Sequence, residues 1–296
     1  MSEKKRWGDR KDGRLLRDID AMHVIMPFLY VNRADNEAYI SERIDLEPVN
    51  QYLAAKNADN PQDPYKLFQV IIAALVKTIT LRPKMNRFIQ GSQLYQRDKL
   101  TMGFTLKKEF NDEAHEGLAY MEFDENSTMD SVHEKIVKEI HNVRHVEGGD
   151  NSTDQMDWLR KIPRPLLRFL MWVIRILDKY GKVPEFLIKT DPNFATCFLT
   201  NLGSIGLKCG YHHLSNWGTT SIFVIIGEIK MTPHYDEDGH MTMRQTVDIG
   251  LTIDERIADG YYYAKTIALF KHLMSHPELL DLPAKEEVTY EFKRGN

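Results

Sequence analysis

Residues 65–81 constrain the fold most, because the helix they predict carries apolar side chains on almost every side. Arg82-Pro83 ends this segment, since proline cannot continue a helix. A helix without a polar face is stable in water only when other elements cover it all round. We therefore predict that this helix lies at the centre of a layered domain.

Short β-rich segments alternate with helical segments along the rest of the chain. The clearest strand spans 246–254, where Val247, Ile249, Leu251 and Ile253 alternate with other residues, and a helix over 261–275 follows it. Further strands are predicted over 39–46, 100–106, 117–123, 195–200 and 221–228, and further helices over 47–57, 128–146 and 163–180. This interleaving favours one α/β domain over two separate ones.

The chain ends and one internal loop define the expected domain boundaries. Residues 1–20 alternate in charge and predict a flexible arm, which leaves 21–296 as a single domain. A Gly-Gly-Asp-Asn-Ser loop at 148–152 indicates an insertion around 148–190. The first ten residues lack the apolar stretch of a secretory signal, so a cytoplasmic protein is expected.

Composition argues against several classes of partner. The 39 basic and 43 acidic side chains give a net charge of −4 without a long basic block, so no nucleic acid is expected. Cys197 and Cys209 fit no zinc or redox spacing and are interpreted as reduced thiols. His141 and His145 share a predicted helix face without a third ligand, so no metal is expected.

The predicted helix over 163–180 has a wide apolar face that includes Trp172 and is flanked by Arg164, Arg168 and Arg175. Contact with a membrane surface or an acyl chain is one interpretation. Core packing or a subunit contact is favoured, because apolar helices usually pack against their own protein. Membrane contact is therefore not expected, and the apolar stretch is too short to span a bilayer.

Two ordered motifs carry a resemblance to a known family. Residues 254–260 read Asp-Glu-Arg-Ile-Ala-Asp-Gly, which resembles the HxxxDG motif of chloramphenicol acetyltransferase-like enzymes and the DHRxxDG segment of dihydrolipoyl acyltransferases. Residues 198–206 read Phe-Leu-Thr-Asn-Leu-Gly-Ser-Ile-Gly, similar to the TISNLGxxG segment of the latter enzymes. Residues 63–88 are similar to their long buried helix and its HPxxN-like corner. The resemblance covers about 39–277 and includes no lipoyl module.

This resemblance implies a two-layer α/β sandwich with a mixed sheet flanked by helices, assembled as a homotrimer with active sites between subunits. Coenzyme A and the acceptor would enter opposite ends of a tunnel. The implied reaction moves an acyl group from coenzyme A to a thiol, hydroxyl or amine acceptor, either a small molecule or carrier-bound. No covalently bound lipoyl group is expected in this chain.

The main departure from the family pattern is Glu255, which stands where the family has its histidine general base. Deprotonating a thiol of pKa about 8.5 is uphill by roughly 2.7 kcal/mol for an ordinary histidine and roughly 5.7 kcal/mol for an ordinary glutamate. Burial raises a carboxyl pKa and narrows that gap. The alternative is that Glu255 is a charged strand-end residue paired with Arg256, in a protein that has lost the reaction.

The resemblance assigns roles to further residues. Asp259 would support the base loop through a buried ion pair, with Arg33 as the partner, or would only cap the next helix. Thr200 would hydrogen-bond the oxyanion, or would be an ordinary strand residue. His212 or His213 is a second candidate base, and on an extended segment only one of them would face a site. The remaining expected residues are Asn201, Gly203 and Ser204 at coenzyme A, with Arg256 and Gly260 in support.

A non-catalytic trimer is the opposing hypothesis. Such a protein would keep the fold as a binding or scaffold module, and the missing histidine favours it. Asp259, Gly260 and Thr200 favour the enzyme only weakly, because all three also serve the fold.

Overall fold

The computed structural model describes residues 4–107, 116–145, 161–236 and 238–292. Within these ranges a six-stranded mixed sheet carries helices on one face, and a three-stranded antiparallel sheet lies beside it. The strands are β1 Gly13–Leu15, β2 Glu37–Asp45, β3 Arg87–Gln90, β4 Gln93–Arg97, β5 Leu100–Lys107, β6 Glu116–Phe123, β7 Cys197–Asn201, β8 Ile222–Tyr235 and β9 Met241–Asp254. The helices are α1 Ala21–Leu29, α2 Glu47–Lys56, α3 Leu67–Leu81, α4 Met129–His145, α5 Arg164–Lys179, α6 Glu185–Thr190 and α7 Gly260–Ser275.

The large sheet has the strand order β2-β9-β8-β7-β5-β6. β7 pairs in parallel with both β5 and β8, and the remaining pairs are antiparallel. Cys197 and Leu199 of β7 pack with α3 and α7 in the main core, whereas Phe198 belongs to a separate cluster with Phe223. Because side chains alternate across a strand, Thr200 lies with Phe198 on the face away from the helices. We call this the open face.

The central helix is confirmed. Residues 69–79 of α3 are all buried, between the sheet and helices α4 and α7. Even Lys77 is enclosed, and its Nζ donates to the carbonyl oxygen of Pro283 at 2.8 Å. The predicted strands and helices are present, mostly with end shifts of a few residues, whereas β1, β3, β4, α1 and α6 were not predicted. The hairpin of β8 and β9 is longer than predicted, because β9 begins at Met241 and β8 continues to Tyr235. The exposed second half of β8 follows a bulge between Ile226 and Ile229 and lacks the apolar run that marks the first half.

The N-terminal segment is not the flexible arm that its charges predict. Gly13 of β1 pairs with Arg97 of β4, and Arg10 is buried. The Arg10 guanidinium bonds Asp12 through Nε at 2.9 Å and Asp178 through Nη2 at 2.9 Å. The charges are therefore paired inside the structure rather than solvated. Residues 148–160 of the expected insertion lie outside the described ranges.

Helix α5 is not packed into the described core of its own copy. Core packing was one of the two favoured expectations, and the other, a subunit contact, stays a prediction. Its side chains Leu166, Phe169 and Trp172 are 56%, 60% and 59% exposed, and Asp178 is its one buried residue. An apolar face of this size faces outward from the described part of the chain. No described helix is long and apolar enough to cross a bilayer.

Candidate functional site: the β9–α7 corner and the β7 turn

The chain turns from β9 into α7 through a short 3₁₀ turn at Glu255–Ile257. Asp259 ends the connector as the N-cap of α7, where its carboxylate accepts from the backbone N–H of Tyr262 at 2.8 Å. This hydrogen bond holds the pKa of Asp259 below its ordinary value. The capping role expected for Asp259 is therefore present in the structure.

Asp254 sits at the centre of a buried charge cluster at this corner. Its carboxylate accepts two hydrogen bonds from Arg256, from Nε at 2.8 Å and from Nη2 at 2.7 Å. Arg33 Nε lies 3.6 Å from the same carboxylate, and its other guanidinium nitrogens donate to the carbonyl oxygens of Ser215 and Ile89. Burial lowers the pKa of Arg33, and the charge of Asp254 opposes this effect. The cluster ties β9 to the segment before β2.

Both arginines that were expected to form ion pairs at this corner therefore pair with a different carboxylate from the expected one. Arg33 faces Asp254 rather than Asp259, and Arg256 pairs with Asp254 rather than with Glu255. The reason is side-chain direction, because Asp254 points inward at the strand end whereas Asp259 caps an exposed helix terminus. The cation recorded beside Asp259 is Lys84, whose Nζ lies 3.9 Å away. A Cβ built on Gly260 meets no atom within 4 Å, so steric contact does not explain this glycine.

Glu255 is exposed, and its backbone N–H donates to the carbonyl oxygen of Asn36 at 2.9 Å. Helix α1 contacts the turn that carries Glu255, and Arg256 Nη1 donates to the Tyr30 carbonyl oxygen at 2.8 Å. The helix and the residues after it present a row of exposed apolar side chains: Met22, Val24, Ile25, Phe28, Leu29, Tyr30 and Val31. Glu255 thus borders an uncovered apolar surface, which we call the α1 patch.

Thr200 occupies the end of β7 on the open face. Its hydroxyl is half-buried and lies 3.4 Å from the hydroxyl of Thr105 on β5. Asn201 then stabilises the turn, because its side-chain oxygen accepts from the N–H of Ser204 at 3.2 Å. Ser204 in turn donates from its hydroxyl to the Asn201 carbonyl oxygen at 2.7 Å. Thr200 is therefore held next to a well-defined turn.

Residues 202–210 lie very close to the open face, and Gly203, Gly227 and Gly250 permit this because a side chain at any of them would collide with the facing backbone. A Cβ on Gly203 would lie 2.3 Å from the carbonyl oxygen of Gly227, and a Cβ on Gly250 would lie 2.2 Å from that of Gly210. Cys209 lies between these contacts and is half-buried, while Cys197 is fully buried. Both thiols are free, as predicted, and burial raises the pKa of each.

We expect Gly250→Ala to lower the free energy of unfolding by about 1–3 kcal/mol, because the added methyl forces residues 202–210 away from the sheet. Gly210→Ala is the matched control, since a Cβ at Gly210 meets no atom within 4 Å. Urea unfolding of the two variants measures the difference. Equal stability of both variants would contradict the close contact.

His212 and His213 do not point to opposite sides as an extended segment requires. Their rings stack at a centroid distance of 4.5 Å, and His212 also stacks on Phe223 at 4.2 Å. His212 Nδ1 lies 2.8 Å from the carbonyl oxygen of His213. The expectation was wrong because these residues do not belong to a strand. Both rings are exposed above the open face.

Thr200 and Glu255 do not meet within one copy of the chain. Thr200 is in register with Ile225, and Ile225 with Gly250, five residues before Glu255. At about 3.3 Å per residue and about 4.8 Å per strand, the two positions are on the order of 15–20 Å apart. Thr200, Asn201 and Ser204 form one group at the β7 turn, and Glu255 and Asp259 share the connector between β9 and α7, so the expected site residues fall into two separate groups.

Sequence reasoning missed the role of one residue, and the structure shows a second group in which several potential ligands meet. The central position of Asp254 was missed, because the alternation of apolar residues up to Ile253 places Asp254 on the other face of the strand, where burial was not expected. Asp236, Asp238 and His240 form the second group, at the β8–β9 turn, with ligand atoms within 4.8 Å of one another. β8 and β9 pair antiparallel on either side of this turn, beginning with Tyr235 and Met241, so it is the turn of a β-hairpin. All three side chains are exposed.

Comparisons with known proteins identify the fold of the chain and a family match for part of its sequence. Residues 188–282 match the family described as 2-oxoacid dehydrogenases acyltransferase (catalytic domain). A probable dihydrolipoamide acetyltransferase from Listeria monocytogenes is 12% identical, with a TM-score of 0.58 over 88% of this chain and 94% of that chain. A chloramphenicol acetyltransferase is 12% identical, with a TM-score of 0.52 over 89% of this chain and 98% of that chain.

A third solved structure, the Azotobacter vinelandii dihydrolipoamide acetyltransferase, is 12% identical. Its TM-score is 0.52, over 90% of this chain and 94% of that chain. No curated protein sequence matches the chain. The protein therefore has the chloramphenicol acetyltransferase-like α/β fold. Its segment from α6 to beyond α7 additionally has the sequence pattern of the acyltransferase catalytic domain.

Proposed function

We propose that the protein is an acyltransferase that moves an acyl group from a coenzyme A thioester to a thiol, hydroxyl or amine acceptor. The observation that carries the proposal is the half-buried Thr200 hydroxyl, held at a glycine-containing turn inside the segment that matches the acyltransferase family. Asn201, Gly203 and Ser204, the expected coenzyme A contacts, follow Thr200 directly in the sequence, and Ser204 is exposed.

The proposed active site lies between two subunits of a trimer. Within one copy, Thr200 and Glu255 are too far apart to act on one substrate. The exposed α1 patch beside Glu255 supports such an arrangement, because a large uncovered apolar surface is typical of an interface. A neighbouring copy covering this patch would also bury Glu255, and burial raises the pKa of a carboxyl group toward that of a useful base.

The relatives support the choice of residues. The work on the Azotobacter vinelandii enzyme concerns a serine, a histidine and an asparagine in its catalytic mechanism, the last two being four residues apart. In our proposal Thr200 takes the part of the serine, and Glu255 and Asp259, also four apart, take the parts of the other two. Another related structure is the cubic core of a pyruvate dehydrogenase complex, so assembly is known among proteins of this fold.

In the proposed reaction, Glu255 accepts the proton of the acceptor as the acceptor attacks the thioester carbonyl carbon. The Thr200 hydroxyl donates to the oxyanion of the tetrahedral intermediate, which collapses with cleavage of the carbon–sulfur bond. The proton held by Glu255 passes to the departing coenzyme A sulfur. The acceptor leaves acylated, and coenzyme A leaves as the free thiol.

A calorimetric titration with coenzyme A and acetyl-coenzyme A tests the substrate class without an acceptor. We expect saturable binding at one site per chain. The absence of heat in a folded, assembled protein would contradict the proposal. The first activity assay is the transfer of the acetyl group from acetyl-coenzyme A to dihydrolipoamide, measured by the coenzyme A thiol that is released. Dihydrolipoamide is the first acceptor to try because the related enzymes are dihydrolipoamide acetyltransferases.

Thr200→Val is expected to reduce kcat by about 10²–10³-fold while leaving coenzyme A affinity nearly unchanged, because the hydroxyl acts mainly on the oxyanion. Thr105→Val is the matched control, since it removes the neighbouring hydroxyl on the same face. Steady-state kinetics of both variants measure the effect. Equal losses in the two variants would show that Thr200 serves only the sheet.

A non-catalytic trimer is the second candidate function. The exposure of Glu255 within one copy favours it, as does the Arg33–Asp254–Arg256 cluster, which supports the corner without a base. This hypothesis predicts an assembled protein that binds neither coenzyme A nor acetyl-coenzyme A. The titration therefore separates the two functions.

A further inference from the structure

Within the described part of the chain, helix α5 is attached to the protein along one side. The carboxylate of Asp178 is buried and accepts hydrogen bonds from Arg10 Nη2 at 2.9 Å and from the Gln90 side-chain amide. Burial raises the pKa of Asp178, and this effect is larger than the lowering of the pKa by the charge of Arg10. At 100° per residue, the half-buried Leu167, Met171 and Ile174 lie on this same side. The attachment sets which side of α5 faces outward.

The outward side of α5 consists of two adjacent stripes. One stripe is apolar, and Phe169 and Trp172 stack within it at a ring-centroid distance of 5.9 Å. The helical period places the other stripe directly beside it, and that stripe is basic. The apolar stripe is formed by Phe169, Trp172, Ile176 and Tyr180, and the basic stripe by Arg164, Arg168, Arg175 and Lys179, all of them exposed.

The outward side of α5 carries charge of one sign. Asp178 is the helix's single acidic residue and is buried against Arg10. Among the described residues, no acidic side chain forms an ion pair with Arg164, Arg168 or Arg175. A partner that contacts both stripes must therefore offer an apolar region and, directly beside it, negative charges. A second copy presenting the same face would place like charges opposite one another.

We infer that α5 binds the surface of an anionic lipid bilayer. The apolar stripe would enter the boundary between headgroups and acyl chains, and the arginines would contact lipid phosphates. A strongly amphipathic helix with arginines on its polar face and tryptophan and phenylalanine on its apolar face fits this location. The helix lies on the membrane and does not cross it. The inference does not depend on the proposed acyl transfer.

Vesicle flotation of the full chain tests this inference. We expect the protein to float with vesicles of phosphatidylcholine mixed with phosphatidylglycerol and to remain behind with pure phosphatidylcholine. The emission of Trp172 should shift to the blue on the anionic vesicles, and Trp172→Phe should remove most of that shift. Because each basic residue near an anionic surface contributes about fivefold in affinity, loss of three arginines should weaken binding about a hundredfold at low salt.

Three combined variants complete the test. The first removes the basic stripe, the second removes the apolar stripe, and the third removes the same charge from exposed lysines elsewhere as a control. They are Arg164→Gln with Arg168→Gln and Arg175→Gln; Phe169→Ser with Trp172→Ser; and Lys138→Gln with Lys271→Gln and Lys285→Gln. The first two should lose vesicle binding and the third should keep it.

Several results would overturn the inference. They are absence of binding to anionic vesicles, equal binding to neutral vesicles, or equal weakening by the control variant. Sedimentation velocity supplies an independent check. A lower oligomeric mass in the apolar-stripe variant would show that another copy of the chain covers this face instead.

Discussion

Asp254→Asn is expected to lower the free energy of unfolding by about 3–5 kcal/mol, because it leaves two buried guanidinium groups without their carboxylate. Asp254 is 0% exposed, and Arg33 and Arg256 are 4% and 2% exposed. Asparagine preserves the size of the side chain, so the loss reports charge rather than a cavity. Urea unfolding at neutral pH, with an unchanged denaturant slope, measures the effect.

Asp248→Asn is the matched control for this variant. Asp248 lies on the same strand and also faces two basic side chains, Arg43 and Lys230, but this cluster is solvent-accessible. Its loss should cost less than about 1 kcal/mol, because water screens exposed ion pairs. The hydrogen bond from Arg43, followed by that from Lys230 and by the charges of both side chains, holds the pKa of Asp248 below its ordinary value. Similar losses from both substitutions would contradict the special position of Asp254.

Glu255→Gln is expected to reduce kcat by about 10²–10⁴-fold, the usual contribution of a general base. Stability and assembly should be unchanged, because Glu255 is exposed within one copy and its backbone, rather than its side chain, bonds Asn36. The transfer of acetyl groups from acetyl-coenzyme A measures the effect. Unaltered turnover would remove Glu255 from the mechanism.

Two further substitutions sharpen the result at this position. Glu255→His introduces a base that needs no burial to match a thiol, so it should retain more activity than the glutamine variant. Glu286→Gln removes an exposed carboxylate far along the chain and should leave kcat unchanged. An inactive wild-type protein that gains activity from Glu255→His would instead favour the non-catalytic hypothesis.

The elements most clearly predicted from sequence are those whose pattern has one physical solution. An apolar helix must be buried, so α3 was placed correctly in the core. Strict alternation specified β9, and Asp259 before Gly260 specified the start of α7. The candidate residues Glu255 and Asp259 lie in the connector between β9 and α7. The sequence therefore located the corner that the structure describes.

Charged residues were predicted less well, because charge alone does not reveal the partner. The alternating charges before β1 predicted a flexible arm, yet Arg10 is buried against Asp12 and Asp178, the latter on a distant helix. Arg33 was assigned to Asp259, although Asp254 is nearer to it. Such pairs join residues far apart in sequence, so local patterns do not contain them.

The sequence alone predicted the six strands of the large sheet, five of the helices, the layered α/β class and the location of the candidate motifs, since these depend on local periodicity and capping. It did not predict β1, β3, β4, α1 or α6. Only the tertiary structure decided that Asp254 is the buried acceptor, that Thr200 and Glu255 lie apart, and that the apolar side of α5 faces outward. The physical reason is that periodicity shows which side of an element is apolar, whereas long-range packing decides what covers that side.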